Sequence, residues 1–229
     1  MVGTENNPTI AIIGGTGAEG RGLGFLWAQA GYSIILGSRS VSKAIARASD
    51  LNACIDEGKP SLRGMDNLAA VQSCEVSILT VPYQAHKSTL LELRDGLQGK
   101  ILVDVTVPLI PPEVDRVQLP VGLAASLEAQ EILGSGVRVV AAFQNVSAEH
   151  MNVDGSVIDC DVLVCGDDSG ARSEVIRLVQ AIGMSGLHAG PLANAVAIES
   201  LTPVLIGMNK RYGVKNAGIR VTGIPRSDE

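Results

Sequence analysis

The sequence predicts an α/β fold, a doubly wound and mostly parallel β-sheet with helices on both faces, followed by a smaller, mainly helical C-terminal part. Short apolar runs alternate with amphipathic helical patterns along most of the chain. Of the 229 residues, 46% are hydrophobic but only 3% are aromatic. The core must therefore consist of Ala, Val, Ile and Leu, which suits a sheet buried on both faces.

The first strand, helix and second strand form a unit with a glycine fingerprint. The apolar strand Ile10–Ile13 leads into Gly15, Thr16, Gly17 and Gly20, which gives G-x-G-x-x-G at a strand-to-helix turn. The first glycine permits the turn, the second lets the backbone approach a pyrophosphate, and the third lets the helix pack near the strand. The pattern predicts a Rossmann-type dinucleotide site, although a glycine-rich turn can also arise for packing alone.

The end of the second strand indicates which dinucleotide binds. An NAD site has an acid here, whose carboxylate takes the ribose 2′-hydroxyl. This chain instead has Ser38 and Arg39, with Lys43 shortly after them. Arg grips a phosphate with two hydrogen bonds and Lys adds a point charge, so we expect NADP rather than NAD. The alternative is that Ser38 only caps the next helix and Arg39 is solvated.

The later elements continue the alternation. A weakly marked third strand is expected at Ser61–Gly64, and Asn67 is expected to cap a short helix. Polar residues Gln144–Ala148 follow a strand and either meet a cofactor or satisfy the loop backbone. We assign residues 1–150 to an NADP-binding domain and residues 151–229 to a smaller domain that closes the cofactor cleft. Further strands are predicted at Val76–Val81, Ile101–Val105, Val137–Phe143 and Val162–Cys165, and a final helix from Asn194 towards Asn209.

Composition and charge exclude several classes of protein. The net charge of −6 argues against general binding of nucleic acids, and the scarcity of aromatic residues argues against single-strand stacking platforms. The segment Asn209–Arg226 holds five basic residues and no acid, which indicates either a solvated tail or a local anion site. The N-terminus lacks a signal-peptide pattern, and no uninterrupted apolar run approaches a membrane span. We expect a cytoplasmic protein.

The sequence shows no catalytic constellation. Its three histidines are scattered, and its four cysteines form no C-x-x-C pair. Asp167-Asp168-Ser169 precedes a helix and is better explained by capping than by a metal. Hydride transfer between two bound cofactors needs positioning above all, because the cofactors supply the chemistry. We therefore expect no catalytic side chain and no metal.

With these residues in view, the chain resembles the NADPH-dependent coenzyme F420 reductases (F420H2:NADP oxidoreductases) over nearly its whole length. The resemblance is carried by the stretches Ile13–Leu23, Thr80–Tyr83, Val164–Asp168 and Ala189–Pro203, together with Gly37-Ser38-Arg39. It implies reversible hydride transfer between NADP(H) and the deazaflavin F420. The acidic tail of F420 would suit the basic segment Asn209–Arg226.

The resemblance also implies where the cofactors bind. Ser38, Arg39 and Lys43 would hold the 2′-phosphate, and Ala217 would lie near the deazaflavin. The apolar C-terminal helix favours a homodimer. The remaining implied contacts are Thr16, Gly17, Ala18 and Glu19 for the nucleotide loop, and Val81, Val107 and Ala148 for the nicotinamide half.

Two other functions are compatible with the sequence. One is an NADPH reductase of another acceptor, such as a flavin, a quinone or a ferric chelate. The other is a non-catalytic NADP(H) sensor, in which the C-terminal helices report the bound nucleotide to a partner.

Overall fold

A computed structural model describes residues 7–147, 151 and 159–225. Its strands form one eight-stranded sheet in the order β3-β2-β1-β4-β5-β6-β7-β8. The strands are β1 Ile10–Ile13, β2 Ile34–Ser38, β3 Arg63–Asp66, β4 Val76–Leu79, β5 Ile101–Asp104, β6 Arg138–Ala141, β7 Asp161–Gly166 and β8 Ser185–His188. The helices are α1 Ala18–Gln29, α2 Val41–Asn52, α3 Asn67–Gln72, α4 Tyr83–Leu97, α5 Ala125–Leu133, α6 Ser169–Ala181 and α7 Ala195–Tyr212.

The first six strands are parallel, and β1 lies between β2 and β4. Ile10 is paired with Ile34 on one side and with Val76 on the other. All four residues of β1 are fully buried, because helices cover both faces of the sheet. The predicted α/β fold is confirmed, and the carboxyl ends of β1, β2, β4 and β5 meet at one edge of the sheet.

The sheet continues beyond residue 150. Strand β7 joins β6 in antiparallel orientation, and β8 lies parallel to β7. The predicted strand Val162–Cys165 therefore extends the same sheet. Strand β8, which the sequence pattern did not predict, is a half-buried strand of Ser, Gly, Leu and His with little apolar signal. The boundary between two domains at residue 150 stays a prediction.

The buried side chain of Trp27 connects the first helix to the C-terminal part. Its indole N–H donates to the carbonyl oxygen of Leu178 in α6, at 2.8 Å. Its ring meets that of Phe143 edge to face, with 5.8 Å between the ring centroids. Trp27 is completely buried, so α1 and α6 pack through it across one face of the sheet.

Helix α7 belongs to a long and mostly apolar segment. Among the described residues, Leu192–Tyr212 is one helical segment of 21 residues that is long and apolar enough to cross a membrane by length and composition. In the sequence it is not an uninterrupted apolar run, because Glu199 and Pro203 lie inside it. Both of these residues are buried within the protein, and Ile198 packs in the core beside them.

Candidate functional site

A cleft of about 550 Å³ opens at the carboxyl ends of the parallel strands. Open α/β sheets bind ligands at this edge. The wall is formed by the glycine turn, the end of β2, the start of α3, the loops after β4 and β5, and part of α7. Its residues are Gly14, Thr16, Gly17, Ala18, Glu19, Ser38, Arg39, Asn67, Thr80, Val81, Pro82, Tyr83, Ala85, Thr89, Val105, Thr106, Val107, Leu109, Gln144, Val146 and Thr202.

The glycine turn has the geometry of an anion cradle. The amide of Gly15 donates to the carbonyl oxygens of Ile12 and Gly37, at 3.2 and 3.0 Å, which fixes the turn between β1 and β2. Gly17 is the N-cap of α1 and supplies no side-chain cap. The first amides of α1 thus lack a capping side chain beside the cleft, which suits a pyrophosphate.

Gly17 and Gly20 serve different purposes. A Cβ at Gly20 would lie 2.6 Å from Thr80 Oγ1 and 2.8 Å from Gly15 Cα, so any side chain there pushes α1 away from the sheet. A Cβ at Gly17 would meet only the carbonyl oxygen of Gly14, at an ordinary 3.4 Å. Gly20 therefore serves packing, whereas Gly17 leaves open space in the cleft wall.

Two alanine variants should separate these roles. We expect Gly20→Ala to lower the free energy of unfolding by about 1–3 kcal/mol, the usual cost of overpacking. Gly17→Ala should leave stability nearly unchanged and weaken NADPH binding by roughly 10-fold or more, because its methyl occupies the space for the pyrophosphate. Urea unfolding and NADPH fluorescence titration measure the two effects. Equal NADPH affinity in Gly17→Ala and wild type would contradict this assignment.

The structure places two of the three expected 2′-phosphate contacts, Ser38 and Arg39, in the cleft wall. Ser38 is buried and its Oγ accepts from the amide of Ser40, at 3.2 Å, so it helps to shape the turn before α2. Arg39 is exposed and lines the cleft. In the described part of the chain its guanidinium has no hydrogen-bond partner or ion pair. Lys43 is exposed on α2 but lies outside the cleft wall.

The sequence did not indicate that Asn67 lies in the cleft wall. It was expected to cap α3, but the cap is Asp66, whose Oδ1 accepts from the amide of Ala69 at 2.9 Å. Asn67 is instead buried in the cleft wall, and its Oδ1 has no hydrogen-bond partner. A Cβ at Gly37 would lie 2.9 Å from that oxygen. Asn67 therefore places an unsatisfied acceptor at the same end of the cleft as Ser38 and Arg39.

The opposite end of the cleft combines apolar and polar groups. Val81 and Val107 line it, as expected for a nicotinamide ring. Gln144 is buried there, with its Nε2 donating to the carbonyl oxygen of Asp104 at 2.7 Å and its Oε1 unpaired. Thr202 of α7 donates to the carbonyl oxygen of Gln144 at 2.6 Å. The end of β6 and the middle of α7 are therefore joined at the cleft.

Three further expected contact residues do not line the cleft. Gly15 and Gly20 sit beneath the turn, where they shape it without lining the cleft. Ala217 is also outside the wall, and its amide donates to Asn209 Oδ1 at 2.9 Å. Ala148 lies outside the described residues.

A buried ion pair lies behind the wall. His86 Nε2 and Asp104 Oδ2 are 2.7 Å apart, with 1% and 0% of the side chains exposed. Burial by itself lowers the pKa of His86, but the charge and hydrogen bond of Asp104, with Glu128 and Glu199 nearby, outweigh it and raise the pKa. Asp104 Oδ1 also accepts from the amide of Thr106, at 3.0 Å. The pair therefore holds the turn that leads from β5 into the cleft.

Two other titratable side chains line the cleft. Tyr83 donates its hydroxyl to Glu128 Oε2 at 2.9 Å, and burial together with this carboxylate raises the pKa of Tyr83 to about 12. Its phenol therefore stays protonated at neutral pH. Burial also raises the pKa of Glu19, in the first turn of α1, to about 8. A largely neutral Glu19 at pH 7 is compatible with an anion bound beside it.

The acidic pair before α6 is structural. Asp168 Oδ1 accepts from the amide of Ala171 at 2.6 Å, which makes it the N-cap of α6. Asp167 Oδ1 accepts from the amide of Leu192 at 2.9 Å. The capping role predicted from the sequence is confirmed. Within residues 7–147 and 159–225, together with residue 151, no group of three His, Cys, Asp or Glu side chains could hold a metal ion.

Comparison with known proteins agrees with this geometry. Residues 9–108 match the family described as NADP oxidoreductase, coenzyme F420-dependent. The chain is 39% identical over 224 residues to the F420-dependent NADP reductase of Methanothermobacter thermautotrophicus, with 96% of this chain and 97% of that protein covered. It is 36% identical to the protein of the same name from Methanocaldococcus jannaschii, with 94% and 98% covered.

A solved structure shows the same fold. The crystal structure of a candidate F420-dependent NADP reductase from Arthrobacter superposes with a TM-score of 0.78 and 23% identity, covering 94% of this chain and all of that one. At that identity the likeness supports the fold alone, whereas the archaeal relatives match in sequence from end to end. The chain therefore belongs to the family of F420-dependent NADP reductases.

Proposed function

We propose that the protein transfers hydride reversibly between NADP(H) and coenzyme F420. The observation that carries the proposal is the likeness to F420-dependent NADP reductases over nearly the whole chain. The cleft of this chain joins a glycine turn to Arg39, and β2 ends in Ser38 instead of an acid. A reductase has to hold both a nucleotide and an acceptor. The cleft runs from Arg39 past the glycine turn to Val107 and Thr202, which gives it two chemically different ends.

The residues of the cleft fit NADP(H). The amides at the start of α1 would take the pyrophosphate, and Arg39 the 2′-phosphate, with Ser38 beside it and Lys43 adding charge from α2. The unpaired Oδ1 of Asn67 offers an acceptor at the adenosine end. The other proposed contacts are Thr16, Gly17, Ala18 and Glu19 in the turn, which Gly15 and Gly20 shape, and Val81, Val107, Ala148 and Ala217 on the nicotinamide and deazaflavin side.

The protein contributes orientation and exclusion of water. When bound, the nicotinamide supplies a hydride at C4 and the deazaflavin accepts it at C5. Val81 and Val107 provide an apolar wall against which a planar ring can lie. Tyr83 stays protonated at neutral pH, so its phenol keeps the same charge during the transfer.

The basic C-terminal segment fits the acidic tail of F420 only in part. Lys210 pairs with Asp115 at 2.8 Å, and Arg220 pairs with Asp159. In the part of the segment that the structure describes, Arg211 and Lys215 are exposed and form no ion pair. These two side chains are therefore the proposed contacts for the tail.

Assembly and location are also proposals. Val204, Met208 and Tyr212 of α7 are exposed apolar side chains, which favours a homodimer built through this helix. We further propose that residues 151–229 close over the cleft, since Thr202 already lines it. A cytoplasmic location with only small-molecule partners, and neither nucleic acid nor membrane, is consistent with the acidic net charge.

The deciding experiment is turnover of F420. Purified protein with NADPH and oxidised F420 should bleach the deazaflavin absorbance, and replacing NADPH with NADH should give little bleaching. FMN serves as the parallel acceptor control. Tight NADPH binding without F420 turnover would overturn the proposed reaction and favour another acceptor or a nucleotide sensor.

A further inference from the structure

Glu199 occupies an unusual place in the fold. It lies in the middle of α7 and is 2% exposed, yet its carboxylate points at the start of another helix, α5. Oε2 accepts from the amide of Ala125 at 2.7 Å. Oε1 accepts from the amide and the hydroxyl of Ser126 at 3.0 and 2.8 Å. These three hydrogen bonds satisfy an acidic group that burial would otherwise penalise.

Helix α5 has no cap of its own. Its N-cap residue is Ala124, which has no side-chain acceptor. The first amides of a helix need acceptors and favour a negative charge beside them. Glu199 provides these acceptors from 74 residues away in sequence. The N-terminus of α5 is thus completed only when α7 is in place.

The same stretch of α7 reaches the acceptor end of the cleft. Thr202, one helical turn after Glu199, lines the cleft and donates to the carbonyl oxygen of Gln144 at 2.6 Å. Glu199 and Pro203 also line a small cavity together with Val107, and its volume is only about 10 Å³. The position of α7 relative to α5 therefore sets the place of Thr202, and Val107 packs beside this part of α7.

We propose that Glu199 is a positioning residue for the acceptor side of the reaction. By tying α7 to the N-terminus of α5, it holds Thr202 against Gln144 and keeps the wall at Val107 in register. This inference rests on the proposed function, because it assigns the acceptor to that end of the cleft. The nucleotide end of the cleft is built from β1, β2 and α1, and it does not depend on the hydrogen bonds between Glu199 and the start of α5.

The test compares Glu199→Ala with Glu131→Ala, a matched change at an exposed position of α5. In Glu199→Ala we expect the KM for F420 to rise by roughly 10-fold or more and kcat to fall, because a misplaced wall weakens acceptor positioning. The Kd for NADPH should stay within about twofold, since its contacts lie elsewhere. Glu199→Gln, which keeps the shape and one acceptor oxygen, should recover part of the KM. Glu131→Ala should match wild type.

A second variant separates positioning from capping. Ala124 already has the extended backbone of an N-cap, so Ala124→Ser can cap α5 locally. Added to Glu199→Ala, it should restore much of the melting temperature but leave the KM for F420 raised. If the KM recovers together with the melting temperature, Glu199 only caps α5 and the inference is overturned.

The remaining outcomes are also decisive. An unchanged KM for F420 in Glu199→Ala, or an equal loss of NADPH and F420 binding, overturns this inference but leaves the proposed function standing. A wild-type protein that reduces no F420 overturns the proposed function, and the inference with it.

Discussion

An Arg39→Ala variant is expected to bind NADPH roughly 10- to 100-fold more weakly, the range for losing charge-assisted hydrogen bonds to a phosphate. Arg39 is exposed in the cleft and has no partner among the described residues, so its guanidinium is available to a ligand. NADH has no 2′-phosphate, and its weak turnover should change little. Steady-state kinetics with both nucleotides measures the selectivity.

Arg47→Ala provides the control for Arg39. Arg47 lies on α2, pairs with Asp50 at 3.4 Å on the surface, and is outside the cleft wall. It should behave as wild type with both nucleotides. An equal loss of NADPH and NADH turnover in Arg39→Ala would contradict a role in binding the 2′-phosphate. Such a loss would have to come from a part of the molecule that both nucleotides share.

An Asp104→Ala variant is expected to lower the free energy of unfolding by about 3–5 kcal/mol, the cost of breaking one side of a buried ion pair. The change leaves His86 buried without its partner and the amide of Thr106 without its acceptor. For a chain of this size, the loss corresponds to a fall in Tm on the order of 10 °C. Asp50→Asn, which weakens an exposed pair, should change stability by less than about 1 kcal/mol.

The pH dependence of this loss of stability should show that the charge of His86 causes it. The pKa of His86 is raised in the folded protein above its ordinary value of 6.5. Its stabilising contribution is therefore fully present below about pH 6.5 and is lost as the pH rises through the raised pKa. The difference in the free energy of unfolding between wild type and Asp104→Ala should be largest at acidic pH and should become smaller at alkaline pH. A difference that is the same at every pH would exclude the ion pair as its source.

Local features of the site could be predicted from the sequence because their residues are neighbours in the chain. The glycine turn and Arg39 both follow directly from strands with strong apolar patterns. The same holds for the capping by Asp168, whose acceptor and donor are three residues apart. Each of these features depends on geometry that a short segment determines by itself.

Features that depend on distant contacts could not be predicted in this way. The hydrogen bond from the amide of Ser126 to Glu199 joins residues 73 apart in sequence, and neither segment contains a pattern that indicates its partner. Nothing in the sequence marks His86, one of three scattered histidines, as a buried residue, because its ion pair with Asp104 forms only when α4 packs on β5. Asn67 was expected only to cap α3, because the burial of its amide oxygen depends on the whole cleft wall. For Gln144 the sequence left a cofactor contact and a backbone contact both open, and in the fold its amide donates to the carbonyl oxygen of Asp104. Lys43 was placed by its sequence distance from Arg39, but on α2 it lies outside the cleft.

Trp27 gives the protein a spectroscopic reporter. It is the single tryptophan of the chain, and its indole lies where α1, Phe143 and α6 meet. Its fluorescence therefore comes from one buried site, without overlapping signals from other tryptophans. Separation of α6 from α1 would expose the ring to water and shift the emission to longer wavelength. Emission wavelength thus monitors whether the C-terminal part moves as a unit relative to the first helix.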